Sequence, residues 1–192
     1  IDETIFRKKY NLSKKPIIAL LPGSRKQEIS KMLSVMLSLV DDFQQYEFVI
    51  AGAPSQSLDF YKKIIGSKNV AFVDNKTYDL LSVSYAALVT SGTATLETAL
   101  FKVPQVVCYK GSIISYQIAK RIITLRFISL VNLIMDKEVV KELIQKDFTK
   151  KNLTKELAMI LDDNHRSKIF ENYYRVATKI KLRDSRTRNL NR

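Results

Sequence analysis

Five short apolar runs, separated by helical patterns, constrain the fold of this chain more than any other feature. Each run is four or five residues long, rich in β-branched side chains and bounded by Pro, Gly or Asn; they lie at 17–21, 48–51, 70–73, 86–90 and 106–109. Such runs are typical of buried strands. Because they are apolar throughout rather than alternating, they favour strands covered on both faces, as in a parallel sheet.

Helical periodicity occupies the intervals between these runs. The spacing predicts a helix over 26–42 and shorter helices at 58–65, 78–84 and 94–101. Strands that alternate with helices form right-handed βαβ units, which predicts an α/β fold with a doubly wound, mostly parallel sheet. From residue 112 the pattern becomes helical, with helices predicted at 112–125, 137–145, 153–161 and 166–181, a candidate sixth strand at 127–130, and ten frayed residues at the end.

The composition is that of one domain held together by its own core. At 192 residues, 46% of them hydrophobic, the chain can bury a full-sized core without disulfides. The single cysteine, Cys108, and the single histidine, His165, cannot complete a tetrahedral zinc site, and the cysteine count favours a reducing compartment. No stretch reaches the roughly 18 uncharged apolar residues that span a bilayer. Because the chain starts at Ile1 without a secretory leader, we expect a soluble piece of a longer protein.

Positive charge is concentrated in two segments of the chain. The formal net charge is +13; residues 98–135 hold five basic residues and no acidic one, and residues 179–192 carry a net +5. Such a concentrated field favours an acidic partner, namely phosphates, nucleic acid or an anionic membrane surface. Composition alone leaves these three open.

The first candidate site follows the first predicted strand. Residues 21–25 read Leu-Pro-Gly-Ser-Arg, where a strand ends and a helix begins. Ligands bind at this edge of a doubly wound sheet, Gly23 permits close approach to the backbone, and the N–H groups of the next helical turn favour anions. Arg25 could then bind a phosphate through paired hydrogen bonds. The alternative is an ordinary turn with a solvent-facing arginine.

The second candidate site follows the fourth predicted strand. Residues 89–97 read Val-Thr-Ser-Gly-Thr-Ala-Thr-Leu-Glu, in which Ser91 or Thr93 can cap the helix and Gly92 removes a Cβ that would block a phosphate. Glu97 lies one turn further along, on the face of Thr93. A carboxylate there suits a pair of hydroxyls such as a ribose diol. Alternatively, Glu97 is part of a capping arrangement in the first turn.

The remaining polar residues indicate no catalytic or metal chemistry. The sequence contains no Asp-x-Asp, which removes the usual carboxylate pair for Mg²⁺ on a nucleotide diphosphate. His165 is expected to be a solvated surface residue. The predicted helix at 112–125 carries an apolar stripe that suits either an anionic membrane or packing on the sheet, and its width favours packing.

Taken in order, these motifs resemble a known family. The segments 21–25, 91–97, 104–110, 128–134 and 138–145 follow the order and spacing of the C-terminal half of bacterial lipid-A-disaccharide synthases. The likeness covers about 16–181. The chain departs from the family pattern at Val131, where the family has proline, and at Asp136 and Lys137, where it has Gly-Arg.

The resemblance implies a Rossmann-like nucleotide-sugar-binding domain of a GT-B glycosyltransferase, with extra C-terminal helices, over 1–192 as a single domain. It implies that Arg25 and residues 91–93 contact the donor pyrophosphate, that Glu97 faces the ribose, and that Asn132 lines the donor site. The positions carried over are Gly23, Ser24, Arg25, Ser91, Gly92, Thr93, Glu97 and Asn132, with less defined roles for Tyr109, Lys110, Glu142 and Gln145. We expect no catalytic residue, metal or cofactor here. The family's N-terminal domain, with its acceptor site and catalytic base, has no counterpart in this chain.

The partners implied by the resemblance are a UDP-linked acylated sugar donor, an acidic glycolipid acceptor, the missing N-terminal domain and an anionic membrane surface, with no nucleic acid. The expected location is the cytoplasmic side, peripheral on the inner face of the bacterial inner membrane. Three alternatives stay open: another UDP-sugar glycosyltransferase or epimerase, a basic nucleic-acid-binding or membrane-binding module, and a purely structural partner domain.

Overall fold

The computed structural model describes residues 1–111 and 126–190, with side chains through Leu182. The described helices are α1 (Glu3–Lys9), α2 (Lys26–Leu37), α3 (Leu58–Ile65), α4 (Thr77–Ser82), α5 (Thr93–Leu100), α6 (Leu130–Met135), α7 (Lys150–Leu161) and α8 (Asp163–Leu190). The described strands are β1 (Ile17–Leu21), β2 (Glu47–Gly52), β3 (Ala71–Asp74), β4 (Ser84–Thr90), β5 (Gln105–Tyr109) and β6 (Lys141–Ile144). Single 3₁₀ turns lie at Val40–Asp42 and Gln145–Asp147. The helix predicted at 112–125 lies outside the described residues.

The described strands form one parallel sheet in the order β3-β2-β1-β4-β5-β6. Leu20 of β1 lies in register with Ile50 of β2 on one side and with Leu88 of β4 on the other. The strand order reverses between β1 and β4, so the loops that leave these two strands diverge to opposite faces and open a crevice between them. The prediction of a doubly wound α/β fold is confirmed.

Helices cover both faces of the sheet, which explains why the strands are apolar without alternation. In β1, Ile18 and Leu20 pack in the layer of α2, α3 and α7, whereas Ile17, Ala19 and Leu21 pack in the layer of α1 and α4. Every residue of β1 is buried. A third apolar cluster joins α5, α6 and α8 beside β5.

The region after residue 126 differs most from the prediction. The helix expected over 137–145 is wrong, because residues Lys141–Ile144 form β6 and pair with β5. The strand expected over 127–130 is wrong as well. The backbone N–H groups of Ile128 and Ser129 donate to the carboxylate of Glu142, at 2.9 Å each, instead of joining a ladder. Ser129 then caps α6 through its hydroxyl.

The extents of the helices also depart from expectation. Helix α8 continues to Leu190, beyond the predicted end at 181, and fraying of its last residues stays a prediction. Helix α2 ends at Leu37, short of the predicted boundary at 42. Helix α1 was not predicted; its signal is Asp2, whose carboxylate accepts from the N–H groups of Thr4 and Ile5 as an N-cap. No helix within the described ranges is both long enough and apolar enough to span a bilayer.

Candidate functional site

The main cavity lies where the strand order reverses, at the carboxyl ends of β1 and β4. Its volume is about 570 Å³, within the usual range for small-molecule sites. Residues from four loops line it, those that follow β1, β2, β3 and β4. We call it the nucleotide cavity below, in keeping with the ligand that its sequence motifs predict.

The loop after β1 supplies Gly23 and Ser24 to this cavity. Gly23 has a φ of 104°, and a Cβ there would overlap the carboxylate of Glu28. That carboxylate accepts a 3.2 Å hydrogen bond from the backbone N–H of Ser24. The hydroxyl of Ser55 donates to the Ser24 carbonyl at 2.9 Å and so ties this loop to the one after β2. A side-chain carboxylate therefore occupies part of the space where the motif predicts an anion.

The loop after β4 turns at Gly92, which has φ 150° and ψ −162°. This region of backbone space is essentially restricted to glycine. Neither Ser91 nor Thr93 caps α5, so that expectation is wrong: no side chain caps the helix, and the Ser91 hydroxyl donates to the Ile128 carbonyl at 3.3 Å. A Cβ at Gly92 would meet nothing within 4 Å. The uncapped N-terminus of α5 is therefore available to a ligand that accepts hydrogen bonds.

Glu97 lies on α5 with its side chain at the rim of the nucleotide cavity. The hydroxyl of Tyr78 donates to its Oε1 at 3.0 Å, and the hydrogen bond and negative charge of Glu97 raise the pKa of Tyr78. The ring of Tyr78 stacks on Phe101, with 5.6 Å between ring centroids. Glu97 is thereby held by a side-chain contact and not by the backbone cap that was the alternative.

The predicted site did not include Tyr78 or Thr90, two polar residues that line this cavity. Tyr78 lines it from α4, and the only sequence signal was its place just after β3, at the same edge of the sheet. Thr90 ends β4, is 4% exposed, and its buried Oγ1 has no hydrogen-bond partner in the described structure. A buried hydroxyl that lacks a partner beside a cavity is suited to a ligand's polar atom.

Arg25, Tyr109 and Lys110 lie together in a second, smaller cavity of about 300 Å³. Glu28 lines both cavities, so they adjoin. Burial raises the pKa of the Tyr109 hydroxyl; the Glu28 carboxylate raises it further, and Arg25 lowers it in part. The predicted site residues are thus divided between two cavities, and Arg25 is separated from Gly92 and Glu97.

Asn132 lines neither cavity, whereas the resemblance places it in the donor site. The side chain is 0% exposed. Its Oδ1 accepts from the N–H groups of Val139 and Val140 at 2.7 and 2.9 Å, while its Nδ2 donates to the Val140 carbonyl and to Glu142, both at 2.8 Å. The amide holds the entry to β6 in place.

Glu142 and Gln145 lie on the β6 side of the fold, outside both cavities. The Glu142 carboxylate accepts from the Ser129 hydroxyl at 2.6 Å, in addition to the backbone N–H groups of Ile128 and Ser129 and the Asn132 amide. Gln145 follows β6 with a φ of 52° and begins a 3₁₀ turn. Their roles in ligand binding remain predictions.

The arrangement can bind an anion and a diol at the same time. The uncapped helix end at Gly92 attracts negative charge, and a carboxylate one turn along, at Glu97, accepts hydrogen bonds from neighbouring hydroxyls. Among the described residues, no three His, Cys, Asp or Glu side chains are grouped so as to hold a metal ion.

Known structures share this fold. The Staphylococcus aureus MnaA–UDP co-structure aligns with a TM-score of 0.57 at 17% identity, over 96% of this chain and 50% of that one. The C-terminal domain of LpcC, a group 1 glycosyl transferase from Francisella tularensis, aligns with a TM-score of 0.57 at 16% identity, over 90% of each chain. At such identities the likeness concerns the fold, which is that of GT-B glycosyltransferase domains.

Sequence comparison identifies the family, whereas the structural matches show only the fold. The lipid-A-disaccharide synthase of Coxiella burnetii (strain Dugway 5J108-111) is 35% identical over 168 residues, which are 84% of this chain and 44% of that protein. That of Francisella tularensis subsp. novicida is 37% identical over 177 residues, 87% of this chain and 47% of that protein. The chain thus spans about half the length of the curated relatives it matches. A family model described as lipid-A-disaccharide synthetase matches residues 2–190, and the chain belongs to that family.

Proposed function

We propose that this chain is the UDP-sugar-binding half of an inverting glycosyltransferase. The complete protein would transfer 2,3-diacylglucosamine from UDP to 2,3-diacylglucosamine 1-phosphate, form a β(1→6) bond and release UDP. The observation that carries the proposal is the pairing, in one cavity, of an uncapped helix N-terminus at Gly92 with Glu97 one turn along. Membership of the family and a fold shared with a protein solved with UDP support it.

In this proposal each group of the nucleotide cavity has a separate task. The diphosphate lies over Gly92, where the N–H groups of the first turn of α5 bind it, and the ribose hydroxyls donate to Glu97. When the bond between the sugar carbon and the diphosphate oxygen breaks, negative charge grows on the leaving UDP. The fixed positive end of α5 stabilises that charge more in the transition state than in the bound donor.

The proton of the attacking acceptor hydroxyl needs a base, which we assign to the half of the enzyme that this chain does not contain. We propose further that no metal ion or other cofactor takes part. The basic side chains and the helix N-terminus would balance the charge of the diphosphate instead. This chain alone is then expected to bind UDP without catalysing transfer.

Titration of the chain with UDP by calorimetry, in the presence of a chelator, tests the binding step. We expect saturable binding, and we expect the Glu97→Ala variant to bind about tenfold more weakly, because a hydrogen bond to a charged group contributes about 1.5–3 kcal/mol. The matched control is Glu138→Ala, which removes an exposed carboxylate that lines neither cavity. An absence of heat at millimolar UDP, or equal affinities for all three proteins, would refute the proposal.

Membrane association is the second part of the proposed function. We propose that basic residues of the segment 98–135 bind an anionic lipid surface, each contributing about 1 kcal/mol. We expect weak sedimentation with phosphatidylglycerol vesicles that is lost as salt rises from about 0.05 to about 0.5 M, because the ions screen the attraction.

A double variant tests which charges matter. Lys102 and Arg126 both have a left-handed φ, 59° and 62°, a conformation that asparagine tolerates. Lys102→Asn with Arg126→Asn should reduce vesicle binding, whereas Lys155→Gln, an exposed position on α7, should not. Equal binding to phosphatidylcholine vesicles, or binding that salt does not change, would contradict electrostatic docking.

A further inference from the structure

The second cavity is strongly basic. Arg25, Lys26, Lys31 and Lys110 line it, together with a single carboxylate, Glu28. Lys26 lies 5.5 Å from the centre of the Phe60 ring, but Arg25, Lys31 and Lys110 form no ion pair with any residue that the structure describes. Several like charges around one concave space repel one another, and a bound anion would relieve that repulsion.

Tyr109 gives this cavity a hydrogen-bond donor. The residue is only 7% exposed, yet it lines the cavity, and in the described part of the chain its hydroxyl has no hydrogen-bond partner. Burial and the Glu28 carboxylate raise its pKa, and a tyrosine hydroxyl already carries its proton at neutral pH. A hydroxyl that has no protein partner and lies beside cationic side chains can donate a hydrogen bond to a bound anion. The cavity therefore combines cations with a directed O–H donor.

The N-terminus of α2 opens on the same space. Arg25 is the N-cap residue, but no side chain caps the helix, and residues 25–28 all line the second cavity. The uncapped N–H groups of this 12-residue helix add a fixed partial positive charge. Three independent features, namely the unpaired cations, the Tyr109 hydroxyl and the helix end, thus converge on one small space.

We propose that the second cavity binds a phosphomonoester while the nucleotide occupies the first. A phosphomonoester carries about two negative charges and three terminal oxygens, which suits Lys110, Lys31 and the Tyr109 hydroxyl together. The inference rests on the proposed function, in which the acceptor sugar carries a 1-phosphate. It extends onto this chain an acceptor site that the resemblance otherwise places in the family's N-terminal domain. The same phosphate chemistry could come from the donor's own diphosphate, which would reach past Glu28, and the experiment separates the two sources.

The test uses glucosamine 1-phosphate, a soluble phosphomonoester without acyl chains, in calorimetric titrations of the chain with and without saturating UDP. We expect binding in both cases with affinities within about twofold, since uncoupled sites fill independently. Tyr109→Phe and Lys110→Gln should each weaken it by about tenfold, the loss expected for one hydrogen bond to a charged group. Arg25 stays unaltered in these variants, because the donor diphosphate is its other candidate ligand.

Each outcome bears on one inference alone. The matched control, Lys155→Gln, removes a charge that lines neither cavity and should leave glucosamine 1-phosphate binding as it is. Competition between glucosamine 1-phosphate and UDP would assign the second cavity to the donor diphosphate and overturn a separate site. Binding that neither Tyr109→Phe nor Lys110→Gln weakens, or no binding by a chain that still binds UDP, would also overturn it. If the chain bound glucosamine 1-phosphate but not UDP, the proposed function would be refuted, while the phosphomonoester site would still be supported.

Discussion

Asn132→Ala is expected to lower the free energy of unfolding by about 3–5 kcal/mol, a large part of the stability of a domain of this size. The side chain is 0% exposed, and its amide makes four hydrogen bonds, three of them to the backbone of Val139 and Val140. Alanine would leave those backbone groups buried without partners and remove one donor from Glu142. Each such loss costs about 1–3 kcal/mol.

Urea unfolding followed by circular dichroism measures this change as a lower midpoint at constant slope. Asp136→Asn is the control: residue 136 is the C-cap of the same helix, is exposed, and has a left-handed φ of 53° that asparagine accepts. A loss below about 1 kcal/mol for Asn132→Ala, combined with weaker UDP binding, would restore the interpretation of Asn132 as a ligand contact.

Gly92→Ala is expected to weaken UDP binding by about thirtyfold, which corresponds to about 2 kcal/mol. At φ 150° and ψ −162° a residue with a Cβ is strained by about 1–3 kcal/mol, so the loop relaxes away from the conformation that presents the end of α5. A Cβ at this position would meet nothing within 4 Å, but the strain lies in the backbone, so the open space does not relieve it.

Gly66→Ala separates strain from binding. Gly66 ends α3 with a φ of 59° in open space, so alanine strains the backbone at a position that lines neither cavity. We expect both variants to lower the thermal midpoint and only Gly92→Ala to weaken UDP binding in calorimetry. Equal UDP affinity for Gly92→Ala and the unaltered chain would show that the ligand does not use this loop.

The sheet was predictable because each of its first five strands carries its own signal. The runs at 17–21 and 106–109, for example, are apolar on both faces and coincide with β1 and most of β5. The run at 141–144 is different: Leu143 is its only buried residue, so its apolar content fits a helix as well as a strand. What makes it a strand is pairing with β5, more than thirty positions earlier in the chain, which no local pattern records.

The candidate site was predictable where it depends on backbone and not where it depends on side-chain packing. Gly23 and Gly92 are required by local geometry at the ends of two strands, and both line the nucleotide cavity. Tyr78 reaches Glu97 from another helix, α4, and Asn132 turns inward to satisfy backbone groups of the two residues before β6. Contacts of that kind follow from the tertiary arrangement. A linear motif therefore could not reveal Tyr78 and could not show which groups Asn132 contacts.

The hydrogen bond from Ser91 to Ile128 links the nucleotide cavity to the buried network behind it. Ile128 in turn donates from its backbone to Glu142, which also receives the Asn132 amide. A mutational scan that recorded only nucleotide affinity would therefore score Asn132 and Glu142 as ligand contacts, although they would act through the shape of the loop that carries Ser91. Chemical-shift changes at Ser91 in the unliganded Glu142→Gln variant would reveal this indirect route before any nucleotide is added.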